Sequence, residues 1–62
     1  MNAVEYFEQQ PERVQGFVEG VVEAAWDHPQ IDAEAIIKQR YGRAYSDEQI
    51  SSMWVAARRL LS

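Results

Sequence analysis

Pro11-Glu-Arg-Val-Gln-Gly-Phe-Val-Glu-Gly-Val-Val-Glu-Ala-Ala-Trp-Asp-His-Pro29 is the stretch on which the fold turns. Its apolar residues Val14, Phe17, Val18, Val21, Val22 and Ala25 recur at steps of three and four. At about 100° per residue they form one continuous stripe on an α-helix, whereas a strand would alternate with a period of two. Glu12, Glu19, Glu23 and Asp27 fall on the opposite side. Pro11 has no amide hydrogen to give and fits the first turn of a new helix, or a kink in a longer one. His28-Pro29 closes the element, because the residue before proline is pushed out of the α region. The pattern predicts a helix over 11–27.

Toward the C-terminus, Asp32 is placed to cap a helix in which Ala33, Ile37 and Tyr41 are spaced by four and Ile36 widens the apolar face. Gly42 then supplies the expected left-handed position that ends it. Ser46-Asp47-Glu48-Gln49 is the sharpest local signal: a Ser-x-x-Gln capping box whose two acids also suit the positive end of a helix dipole. The helix it opens carries Ile50, Met53, Trp54, Ala57, Leu60 and Leu61 on one side, with Arg58 and Arg59 at its negative pole. Toward the N-terminus, Asn2 followed three residues later by Glu5 has the same logic, and a short helix is expected over about 3–9. The expected fold is all-α: a single domain over 1–62, a small three-helix bundle at 11–27, 32–41 and 46–61 with a short extra N-terminal helix. Its expected core is Phe17, Val18, Val21, Ile37, Ile50, Met53, Trp54 and Leu61.

Composition agrees with that picture and narrows the chemistry. Sixty-two residues allow one small core, and 47% apolar content argues against disorder. There is no cysteine, hence no disulfide framework, thiol chemistry or Cys-based zinc site. The start, Met1 to Glu5, has neither a basic nor an apolar leader segment, and no apolar run approaches the ~18 residues of a membrane span. A cytoplasmic protein that does not enter membranes is expected.

Catalysis needs a nucleophile with a base, a paired acid and base, or a metal with an open position, gathered in a concave site. Phosphate loops, dinucleotide fingerprints, His-Glu-x-x-His helices and calcium loops do not occur in the sequence. Asp27, His28 and Asp32 have ligand chemistry, but Asp as a cap beside Pro as a stop reads first as a connection. A chain this short also leaves little room for the ~300 Å³ pocket of a small-molecule site. The expectation is a protein that is not an enzyme, with no cofactor and no metal.

Charge is uneven along the chain. Residues 1–34 carry eight acids against Arg13 alone, a net −7, while 35–62 carry Lys38, Arg40, Arg43, Arg58 and Arg59 against Asp47 and Glu48, a net +3. The acids Glu12, Glu19 and Glu23 read either as a solvated face or as a docking strip for a basic partner. Gly16, Gly20 and Ala24 are spaced by four along the edge of the apolar stripe. Glycine inside a helix costs about 0.5 to 1 kcal/mol, so close approach of another helix is their expected reason, within the chain or in a second copy. Trp26 lies about 100° off the stripe and Val55 points away from its own, so these two, with Tyr6 and Tyr45, are candidates for a contact surface. The expected function is a helical protein-protein interaction module, such as a small adaptor, inhibitor or assembly factor. Its candidate binding residues are Glu12, Gly16, Glu19, Gly20, Glu23, Trp26, Tyr45 and Val55, and it is expected to pair as a homodimer. The rival is a helix-turn-helix regulator using the basic C-terminal half. That rival is less favoured because Asp47 and Glu48 at the reading end repel phosphates.

Overall fold

The computed structural model describes residues 2–62 and places four helices around one apolar core. Helix α1 spans Ala3–Glu8, α2 Glu12–Asp27, α3 Ala33–Tyr41 and α4 Asp47–Leu61. Among the described residues there is no strand. The predicted all-α bundle with a short N-terminal helix is the observed architecture.

Local signals fix the boundaries. The Asn2 side chain accepts from the Glu5 amide at 2.9 Å and donates to the Glu5 carboxylate at 3.0 Å, opening α1. Pro11 stands just outside α2, its carbonyl accepting from the amides of Val14 and Gln15. The Gln15 side chain reaches back to the carbonyls of Glu8 and Gln10, which clasps the α1–α2 corner. His28, with φ −132° and ψ 83°, has left the α region, in keeping with its position before Pro29. Asp32 Oδ1 accepts from the Ala35 amide at 3.1 Å. Ser46 and Gln49 form the complete reciprocal box: Ser46 Oγ accepts from the Gln49 amide at 3.1 Å and Gln49 Oε1 from the Ser46 amide at 2.7 Å.

Gly42 departs from expectation. It stays right-handed, with φ −64° and ψ −15°, and donates to the Lys38 carbonyl at 2.7 Å. Glycine is nonetheless suited to the site, since a Cβ there would collide with the Lys38 carbonyl oxygen.

The core is Phe7, Val14, Val18, Val22, Ile37, Ile50, Met53, Ala56 and Ala57, all buried. Helix α4 is the hub: α1, α2 and α3 each pack on it, and α2 also packs on α3. Two corrections follow. Phe7 makes α1 an integral wall rather than an addition. Phe17, Val21, Trp54 and Leu61, expected at the centre, are half-buried around its margin. On α2 the buried row is Val14, Val18 and Val22, so the stripe presents one edge to α4 instead of its middle. Phe17, on the other edge, meets Tyr41 edge-to-face at 5.5 Å with the Arg40 guanidinium over its ring at 5.2 Å.

Candidate interaction surface

Trp26 continues the row Val14, Val18, Val22 by one more step of four. Each such step rotates about 40° around the helix, so the row winds off the core as it advances. Val22 is 4% exposed and Trp26, one turn later, 51%. No neighbour covers the indole, but α4 supports it: the Arg58 guanidinium lies 5.9 Å from its ring centroid, a cation–π contact. Arg58 and Arg59 have no carboxylate within ion-pair distance among the described residues, where the ion pair formed is Lys38–Asp47 at 3.1 Å.

Three open clefts meet at Trp26. One, of about 360 Å³, runs between α2, α3 and α4, floored by Val22, Ala25 and Trp54 and rimmed by Pro29, Ala33 and Arg58. Another, of about 390 Å³, follows α4 past Trp54, Val55, Arg58 and Arg59. The last, of about 290 Å³, lies between Leu61 and the acids Glu23 and Asp27. All three are recesses open to water rather than enclosed cavities.

Trp54 is held in place by a residue that sequence reasoning passed over. Glu34 Oε1 accepts from Trp54 Nε1 and from Ser51 Oγ, each at 2.8 Å. One carboxylate oxygen thus ties α3 to two side chains of α4 and orients the wall of the central cleft. The three-residue spacing of Ser51 and Trp54 puts both donors on one face of α4. Nothing local to Glu34 identifies it as their acceptor.

The structure brings Trp26, Glu23 and Val55 to this end of the bundle. Glu12, Gly16 and Gly20 lie exposed along the outer side of α2, with Glu19 half-buried beside them. The expected helix contact at the glycines is not found among the described residues: apart from the adjacent backbone of α2 itself, no atom lies within 4 Å of a Cβ built at Gly16 or Gly20. The row that faces α4 is on the other side of α2, which turns the glycine edge to solvent.

Tyr45 sits apart from Trp26 and is half-buried, its hydroxyl donating to Gln10 Oε1 at 2.9 Å and its ring edge-to-face with Tyr41 at 6.1 Å. Tyr6, half-buried nearby, has its phenol pKa raised by burial and further by Tyr45. Asp27, His28 and Asp32 do not assemble: among the described residues no group of three or more metal-ligating side chains is placed to hold an ion. No described helix is long and apolar enough to cross a membrane. Comparison with protein-family models, curated proteins and solved structures finds no match to this chain.

Proposed function

We propose that this chain is a helical protein-protein interaction module that works by binding rather than catalysis, and that its binding surface is the Trp26 end of the bundle. The exposed indole carries the reading. A half-exposed tryptophan backed by a stacked arginine, bordered by apolar clefts and by charges of both signs, has the composition of an interface centre. Val55, 37% exposed on the neighbouring cleft, extends it. The polar side-chain groups lining the central cleft belong to Arg58 and to the indoles of Trp26 and Trp54. The residues lining it contain no nucleophile beside a base, so they offer recognition more readily than bond making.

The helix-turn-helix rival is less well supported. Helix α4 opens with Asp47 and Glu48, and three of the five basic residues of that half are engaged inside the chain: Arg40 over Phe17 and Tyr41, Arg58 over Trp26, and Lys38 with Asp47.

The test compares affinity capture by the full chain with capture by its Trp26→Ala and Val55→Asp variants, each first checked for native helicity. The expected result is a protein retained by the parent chain and lost by both variants. Identical retained sets overturn the assignment. Retention on duplex DNA that falls steeply with salt would transfer the function to the rival, because phosphate contacts release counterions and an apolar contact does not.

A further inference from the structure

We propose that the surface around Trp26 is self-complementary and that its occupant is a second copy of this chain, related by a two-fold axis passing beside the indole. The inference rests on the reading of this end of the bundle as a protein-binding surface and adds the identity of the partner.

Charge placement carries it. On α2, Glu23 and Asp27 lie about 60° and 100° around the helix from Trp26, on the side away from the buried Val22. They form the acidic bank of the cleft bounded by Leu61. On the α4 side, Arg58 reaches over the ring and Arg59 lines the next cleft, forming a basic bank without acidic partners among the described residues. Trp26 borders both. A two-fold axis between the banks carries the left side of one copy onto the right side of the other. Each copy's Glu23 and Asp27 then face the other's Arg58 and Arg59, twice over, and each exposed indole lies beside the other's 360 Å³ cleft. A partner with a single sign of charge would satisfy one bank and oppose the other.

Size sets the strength. A standard interface buries about 800 Å² per partner, close to a fifth of the 4273 Å² this chain exposes. The Trp26 surface occupies one end of a 30 × 26 × 19 Å body, so the pairing is weak and reversible rather than a condition of folding. Both copies carry a net charge of −4. General repulsion therefore opposes the contact, and the facing banks must overcome it locally.

Sedimentation equilibrium of the full chain from about 10 µM to 1 mM is the test, over a range where weak dimers populate. The parent chain is expected to rise from 7.2 kDa toward twice that mass. The double variants Glu23→Arg/Asp27→Arg and Arg58→Glu/Arg59→Glu should each remain monomeric, and their equimolar mixture should associate again. Trp26→Ala should weaken association at least tenfold with helicity retained, whereas Gly16→Gln, uncharged and about two turns from Glu23 on the solvent side of α2, should leave it unchanged. A parent chain at 7.2 kDa throughout, or a mixture that stays monomeric, overturns the second copy as occupant. If Trp26-dependent capture of a different protein survives that result, the interaction reading stands without the homodimer. If capture is also independent of Trp26, both fall.

Discussion

At Gly42 the backbone is right-handed, so alanine would meet no torsional penalty; the obstacle is the Lys38 carbonyl oxygen, which occupies the space a Cβ needs. A peptide oxygen cannot swing aside as a side chain can. Gly42→Ala is therefore expected to destabilise the fold by about 1 to 3 kcal/mol in urea denaturation, outweighing the entropy gained in the unfolded chain. Tyr6 governs behaviour in alkali. Its raised phenol pKa means that above about pH 10 the unfolded chain has released a proton the folded chain still holds, so stability falls as pH rises through that window. Below it the contribution is complete. Melting temperatures measured from pH 8 to 11.5 should decline above pH 10, and Tyr6→Phe should flatten that decline.

Helix α2 carries two interior glycines with open space around them. Replacing either with alanine adds helix propensity and meets nothing, so Gly16→Ala and Gly20→Ala should each stabilise the protein by about 0.5 to 1 kcal/mol, and additively. A loss of stability in either would mean that these positions are packed after all. Helix ends were legible in the sequence to within one residue because Asn2, Asp32, Ser46 and Pro29 act through bonds and clashes only a few residues away. The rotation of α2 was not. Its apolar stripe is wide, with Phe17 and Val21 toward one edge and Val18 and Val22 toward the other. Only the arrival of α3 and α4 decides how each edge is covered. The Trp26 surface was half legible on the same grounds: an indole off the stripe is visible from spacing alone, whereas the Glu34 clasp joins residues 17 and 20 positions apart. Tyr45, a plausible surface aromatic by composition, is tied to Gln10 across 35 positions.

The molecule as a whole closes on Phe7, which carries the shortest helix into the core against α4. Phe7→Ala should cost about 3 to 5 kcal/mol, comparable with the entire stability of a domain this small, and abolish the cooperative thermal transition. Phe7→Leu, which keeps most of the volume, should retain a transition at a lower temperature. A cooperative Phe7→Ala variant with unchanged melting would show that the other three helices suffice. They are not expected to, although the finished body is tight: its radius of gyration of 10.5 Å matches the ~10.6 Å of a compact chain of this length. The two tryptophans give this body an intrinsic optical readout. Trp26 faces water, while the Trp54 indole hydrogen is bonded to a carboxylate inside the helix seam. A collisional quencher such as iodide should therefore extinguish the Trp26 emission first and leave Trp54 glowing. Any molecule that settles on Trp26 announces itself as lost quenching, with no label attached to the chain.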